Sequence, residues 1–262
     1  MENKYVMITG GGGFLSYFYA EALLEEGFNI FLTDVNLKNL KNNSKLLKKN
    51  FPNKKILLAK MDITSEKSII EFLKTNKKNF FHILINNAAI DYKINNRPNL
   101  NFTSIENTNL KTWEKDIKTN LTGAFLAIKH FGKKMLKRKE GNIINIASEL
   151  SIIAPDHRLY NKKKIINYKP ASYSCTKHAI IGLTKYIAST WAKNKVRCNS
   201  LSPGGIFKNQ KSEFLSKINK LIPLGRMGKP EDLKDSIKFL CSSKNKYMTG
   251  NNLIIDGGRT II

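Results

Sequence analysis

The stretch Tyr5-Val-Met-Ile-Thr9-Gly10-Gly11-Gly12-Gly13-Phe14-Leu15-Ser16 decides how the rest of the chain is read. A short β-branched and apolar run meets four glycines and passes at once into a helical pattern over residues 14–26. Glycine at such a strand-to-helix turn lets the main chain approach a pyrophosphate, and the turn aims the N-terminal end of a helix at it. A glycine run alone also fits a tight turn with no ligand. The second strand pattern sharpens the choice. It ends in Thr33-Asp34, about 20 residues past the turn, where a carboxylate can accept both ribose hydroxyls of NAD and repel the 2′-phosphate of NADP. The alternative for Asp34 is a plain strand-end turn residue. No Lys or Arg lies within residues 10–19 to receive a phosphate, and Lys38 is the nearest downstream candidate. NAD is therefore the expected cofactor, ahead of NADP.

Outward from this turn, short β-branched runs alternate with longer helical patterns, the mark of βαβ units. Strands are expected over residues 5–9, 30–33, 55–59, 81–85, 142–147, 196–201 and 253–255. Helical segments include 14–26, 66–76, 110–137, 171–193 and 230–240, with Thr64-Ser65-Glu66 as one start signal and Gly27 as one stop. No repeat or linker divides the chain. The expected fold is a single-domain α/β Rossmann fold over residues 1–262, a doubly wound parallel sheet of about seven strands with helices on both faces. Its dinucleotide-binding part covers about 1–150, and its active-site and substrate part about 148–262. Two stretches, 91–109 and 154–170, lack periodicity. Both follow strands at the edge where α/β sheets bind ligands, and loops this long are usually functional or disordered.

Composition excludes several other classes. The chain is long enough for one large core without crosslinks. Cys175, Cys198 and Cys241 form no C-x-x-C pair and suit a reducing cytoplasm, the expected location. No apolar run nears the roughly 20 residues of a membrane span, and residues 1–4 lead straight into a strand pattern rather than a signal peptide. The net charge of +25 invites a nucleic-acid reading, but lysine supplies nearly all of it and is spread along the chain. Asparagine and isoleucine are also in excess, as in Asn42-Asn43 and Ile165-Ile166, a pattern that A/T-rich coding sequence favours. Nucleic-acid readers use arginine forks and stacked aromatics clustered on one face, so no such partner is expected. An acidic small molecule stays compatible with the charge. His82, His130, His157 and His178 lack ligand spacing, and no catalytic metal is expected.

Catalytic candidates follow from the chemistry of a secondary alcohol, which is a poor hydride donor until its proton is removed. Tyrosine can remove it if an ammonium lowers the phenol pKa, and a Tyr-x-x-x-Lys pair puts both side chains on one helical face. Two such pairs exist, Tyr160–Lys164 and Tyr173–Lys177. The first lies in a lysine-rich stretch without an apolar stripe. The second opens a helical pattern whose apolar face is Ala179, Ile180, Leu183, Ile187 and Trp191. Tyr173 and Lys177 are therefore chosen.

With these motifs in this order the chain resembles the short-chain dehydrogenases/reductases along essentially its whole length. Tyr173-Ser-x-x-Lys177-x-Ala-x-x-Gly-Leu-Thr matches the family pattern, as do Thr9-Gly10 through Phe14, Asn86-Asn87-Ala88-Ala89 and Pro203-Gly204-Gly205-Ile206. The resemblance implies cofactor contacts at Gly10, Gly13, Phe14, Leu15, Asp34, Asp62, Ile63, Asn87, Ala88, Ala89, Tyr173, Lys177, Pro203, Gly204 and Ile206. It implies that Ser148 hydrogen-bonds the substrate oxygen and that Asn120 holds a water relay to Lys177. Three departures stand out: Ser16 and Ala89 replace glycines, and Lys208 stands near a position where the family often has threonine.

Between Ser148 and Tyr173 lies an insertion containing Ala154-Pro-Asp156-His-Arg158-Leu-Tyr160. It resembles insertions in oxidoreductases of bacterial flagellin-modification and surface-glycan gene clusters, which implies a sugar or activated-sugar substrate. Asp156 suits sugar hydroxyls and Arg158 a phosphate or carboxylate, so the expected substrate residues are Ser148, Asp156, Arg158, Tyr173 and Gly204. A solvated loop is the plain alternative. A gluconate- or polyol-type dehydrogenase, a 3-oxoacyl-carrier-protein reductase and a non-catalytic NAD-binding scaffold are the other readings. A homodimer or homotetramer is the expectation that the resemblance implies.

Overall fold

The computed structural model describes residues 4–92, 104–161 and 167–262. Its strands are β1 (Tyr5–Thr9), β2 (Asn29–Asp34), β3 (Ile56–Lys60), β4 (Phe81–Asn86), β5 (Gly141–Ile146), β6 (Val196–Pro203) and β7 (Asn252–Ile255). All pair in parallel, in the single order β3-β2-β1-β4-β5-β6-β7. The helices are α1 (Phe14–Glu25), α2 (Leu37–Asn50), α3 (Glu66–Thr75), α4 (Leu110–Ile117), α5 (Gly123–Arg138), α6 (Ala171–Trp191), α7 (Ser212–Asn219) and α8 (Lys234–Cys241).

Side-chain alternation explains why helices cover both faces. Every residue of β1 is buried, with Val6 and Ile8 in one apolar layer and Tyr5 and Met7 in the other. The first layer receives Tyr19 and Leu23 of α1, Leu40 and Leu47 of α2, and Ile237 and Leu240 of α8. The second receives Ile69 and Phe72 of α3, Phe131 of α5 and Ile187 of α6. The chain runs outward from β1 to β3 and then returns to place β4 beside β1. That reversal opens a crevice beyond the carboxyl ends of β1 and β4, where ligands of doubly wound sheets sit.

The seven expected strands are present, with ends shifted by a residue or two. The helices depart more. The segment expected as one helix over 110–137 is interrupted by a π turn at Lys118–Thr122 between α4 and α5. The start of the segment expected over 230–240 is a 3-10 turn, Pro230–Leu233, before α8. Helix α2 was absent from the expected set because its lysines dominate the pattern. Lys38, Lys41, Lys45 and Lys48 are exposed, while Leu40, Ser44 and Leu47 form a narrow buried stripe. Of the two aperiodic stretches, the described parts hold 3-10 turns at Ile105–Asn107 and His157–Leu159, and residues 93–103 and 162–166 lie outside the described residues. No described helix is long and apolar enough to cross a membrane.

Candidate active site

The glycine turn lies in the β1/β4 crevice, braced from three sides. Gly10 has φ +64°, and a Cβ there would stand 2.7 Å from Ala88 Cα, so only glycine fits. Asn87 Nδ2 donates to Thr9 O at 3.1 Å and Gly10 O at 3.2 Å, tying the end of β4 to the turn. Asn43 of α2 donates to Gly11 O at 2.9 Å and Gly13 O at 3.0 Å. Ser16, at the position of the departed glycine, is buried and turns its hydroxyl onto Gly13 O at 2.7 Å. Asn43 had stood out only as part of an asparagine excess, because its partner carbonyls are thirty residues away in sequence.

Asp34 ends β2 beside this turn. Its Oδ2 accepts the Gly12 N–H at 2.9 Å and its Oδ1 the Asn36 N–H at 2.8 Å, so it both shapes the turn and keeps lone pairs for a ribose. Helix α1 begins without a side-chain cap, which leaves its first N–H groups, from Phe14 and Leu15 onward, to an outside acceptor. Asp62 follows β3, where its Oδ1 accepts from both the N–H and hydroxyl of Thr64 at 2.8 Å. Ile63 is buried with its side chain against Gly123, so only its main chain can serve a ligand. Ala89 is exposed just past β4. Pro203 closes β6, and Gly204 donates its N–H to Ile255 O at 2.9 Å, with no room for a Cβ beside Asp256. Ile206 bridges to Gly228. Lys208 reaches back across the crevice, its Nζ 4.2 Å from the Phe14 ring centroid. These residues fit a nicotinamide dinucleotide: an uncapped helix end and glycine turn for the pyrophosphate, Asp34 for the ribose, and the 203–206 segment at the far end.

Ser148 lies just beyond β5, and Tyr173 and Lys177 share one face of α6. The structure brings them together: Ser148 lies close enough to the Tyr173 phenol to lower its pKa. Lys177 is buried, donates to Ile146 O at 2.7 Å, and holds its Nζ 5.7 Å from the Tyr173 ring centroid. Burial brings the Lys177 pKa down to about 8 and pushes the Tyr173 phenol up, with the Asp91 carboxylate adding to the rise. Asn120 occupies the π turn, an irregularity that recurs at functional sites. Its side chain is engaged with the loop after β4: Oδ1 accepts the Ile90 N–H at 2.7 Å, and Nδ2 donates to Ile90 O at 3.1 Å. Asp116 of α4, buried, accepts from Ser172 at 2.5 Å and from Tyr92 at 2.9 Å, fixing the start of α6 against the same loop.

Two charged groups beside Tyr173 escaped sequence reasoning. Lys169 ends the insertion, is buried, pairs with Asp91 and sits 4.3 Å over the Tyr173 ring. Glu149 encloses its Oε2 without a hydrogen-bond partner, 3.2 Å from where a Cβ on Gly204 would lie. Burial, reinforced by Asp256 and opposed by Arg259, raises the Glu149 pKa to about 7. A carboxyl raised in the folded state favours folding at low pH, and that contribution is lost as pH rises from about 4.5 to about 7. Glu149→Gln removes the loss, so the melting temperature of the variant minus that of the parent should grow by several degrees from pH 5 to pH 8. A difference that stays flat with pH would mean that Glu149 ionises normally.

In the insertion, the two charged residues expected to meet substrate pair with each other. Arg158 is exposed at 84%, and its guanidinium is taken up by Asp156, with Nε–Oδ1 at 2.9 Å and Nη2–Oδ2 at 2.7 Å. A cleft of about 390 Å³ between the insertion and α6 is lined by Pro155, His157, Tyr168, Lys169, Ser174 and Cys175, with Ser104, Ile105 and Glu106 opposite. Arg158 and Asp156 are not among its walls. Tyr160 is half-buried, 6.1 Å from the Phe214 ring, and the lysine of its sequence pair, Lys164, lies outside the described residues.

The family model described as enoyl-(acyl carrier protein) reductase matches residues 15–260, and the chain belongs to that family among the short-chain dehydrogenases/reductases, oxidoreductases acting on CH–OH groups. An NAD-dependent glycerol dehydrogenase of Listeria innocua is 29% identical over 100% of this chain and 95% of its own length. A 3-oxoacyl-[acyl-carrier-protein] reductase of Aquifex aeolicus is 30% identical over 98% of each chain. Among solved structures, a short-chain dehydrogenase of Leptospira borgpetersenii with bound NAD+ is 33% identical, with a TM-score of 0.81 over 99% of this chain and 94% of that one.

Proposed function

We propose that this protein is an NAD(H)-dependent oxidoreductase interconverting a secondary alcohol and a ketone on a polyhydroxylated, sugar-type substrate. The observation that carries the reading is the meeting of Ser148, Tyr173 and the buried Lys177 ammonium, 5.7 Å from the Tyr173 ring centroid, in a chain that also carries the glycine turn braced by Asp34. A bound nicotinamide supplies the hydride acceptor or donor. Ser148 holds the carbinol oxygen, and Tyr173 Oη takes its proton during oxidation or returns it during reduction. Lys177 lends positive charge to the phenolate from a site that burial protects from water. Asn120 fixes the loop that borders the substrate through both main-chain groups of Ile90.

The sugar-type substrate rests on the likeness of residues 154–160 to surface-glycan oxidoreductases, on the cleft beside the insertion with His157 and Lys169 in its wall, and on the glycerol dehydrogenase among the relatives. His157, Tyr168 and Lys169, which line that cleft, join Asp156 and Arg158 as candidate substrate contacts. A 3-oxoacyl-carrier-protein reductase is the second reading, favoured by three curated relatives of that name and by the basic surface. The place of action is the cytoplasm, as a homo-oligomer: Phe125 of α5 and Tyr186 of α6 are large side chains left exposed for a second copy to cover. A screen of sugar phosphates, nucleotide sugars, sugar acids and a 3-oxoacyl thioester, read by nicotinamide absorbance, separates the readings. Turnover of the thioester alone would overturn the proposal.

Cofactor preference is tested at Asp34. NADH should bind more tightly than NADPH, and Asp34→Ala should shrink that ratio by roughly 10- to 100-fold, the worth of a charge-assisted bond. The ratio is the proper readout, because Asp34 also holds Gly12 and its loss weakens both complexes. Equal affinities in the unmodified protein would sink the assignment.

A further inference from the structure

We propose that Lys169 is a positioning residue for Tyr173, and that the Lys169–Asp91 ion pair sets the pH at which Tyr173 becomes a base. This rests on Tyr173 as the base of the proposed reaction. The Lys169 ammonium lies nearer the phenol ring than the Lys177 ammonium does, 4.3 Å against 5.7 Å from its centroid. A cation over a ring face is attracted to its π electrons and favours the phenolate over the phenol. Lys169 is only 8% exposed, so water screens this charge little.

Its placement is built by the insertion. The Lys169 N–H donates to His157 Nδ1 at 3.2 Å, and the His157 ring meets the Tyr168 ring edge-on at 5.0 Å. Accepting at Nδ1 requires the neutral imidazole, which the burial of His157 also favours. Pro170 then leads directly into α6, three residues before Tyr173. Asp91 approaches from the loop after β4, the loop that Asn120 holds through Ile90. The groups facing Tyr173 from the described elements are thus Lys169 from the insertion, Lys177 on α6, Asp91 after β4, Glu149 after β5 and Tyr160. Removing Lys169 deletes a cation and unmasks the Asp91 carboxylate. Removing the Asp91 charge leaves Lys169 uncompensated. The two changes act on the phenol with opposite sign.

The test is the acid limb of kcat/KM against pH, with saturating NAD+ and glycerol as the probe alcohol. Lys169→Met should move the limb up by about one pH unit and Asp91→Asn should move it down by a similar amount. Lys169→Arg should restore the parent limb, and the Lys169→Met/Asp91→Asn double variant should fall between the single variants. Loss of structure alone lowers rates without moving a limb in opposite directions. Limbs that stay in place, or that move together, while Tyr173→Phe abolishes oxidation, would overturn the role of Lys169 and leave Tyr173 as the base. Glycerol oxidation that survives Tyr173→Phe would overturn the reading on which both depend.

Discussion

Tyr173→Phe should reduce turnover by roughly 10²- to 10⁴-fold, the range that a positioned acid–base group contributes, while NADH affinity changes by no more than a few-fold. The substitution keeps the ring, and with it the contact with Lys169, but removes the hydroxyl beside Ser148. No proton acceptor then remains at the carbinol oxygen, because the Ser148 hydroxyl is itself a weak base and Lys177 donates to Ile146 O. Tyr160→Phe is the control. Its side chain packs toward Phe214 and α7, and the change should act on substrate affinity more than on the chemical step. Steady-state kinetics on any alcohol that the screen identifies, with NADH binding followed by fluorescence, decides the matter. A dispensable Tyr173 beside an essential Tyr160 would reverse the assignment of the pair.

Gly10→Ala is expected to cost the fold and the cofactor together. The added Cβ must adopt a left-handed backbone, worth about 1–2 kcal/mol, and meets Ala88 Cα at 2.7 Å. That neighbour is main chain, fixed through Asn87 to Thr9 and Gly10, so the overlap cannot be relieved by a rotamer change. Overpacking of this kind adds roughly 1–3 kcal/mol. For a chain of this size the sum corresponds to a melting temperature lower by on the order of 10 °C. The displaced turn should also weaken NADH binding at least tenfold, since the pyrophosphate would rest beyond the adjacent carboxyl ends of β1 and β4, against this turn. A folded Gly10→Ala variant with the parent affinity would show that the turn does not cradle the dinucleotide.

Sequence alone determined what depends on local periodicity and on residue types at short spacing. The short apolar run of β1, the glycines after it and Asp34 at the end of β2 specify a Rossmann turn, because each acts on its neighbours or across one βα unit. The same holds for Tyr173 and Lys177, whose i and i+4 spacing on a stretch with an apolar stripe distinguished them from Tyr160 and Lys164. Helix α2 escaped because a narrow buried stripe of Leu40, Ser44 and Leu47 is hard to read beneath a lysine-rich exposed face. The tertiary structure alone decided the rest. Asn43 finds its carbonyl partners 30 and 32 residues away, and Lys169 finds Asp91 across 78 residues, distances at which no local pattern carries information. Arg158 shows the converse: its type and position in the insertion suit an anion, yet a neighbouring carboxylate two residues away occupies its fork. Charge pairing is settled by which side chains the packed elements bring within a few ångströms, and that is fixed only when β4, the insertion and α6 meet at one end of the sheet.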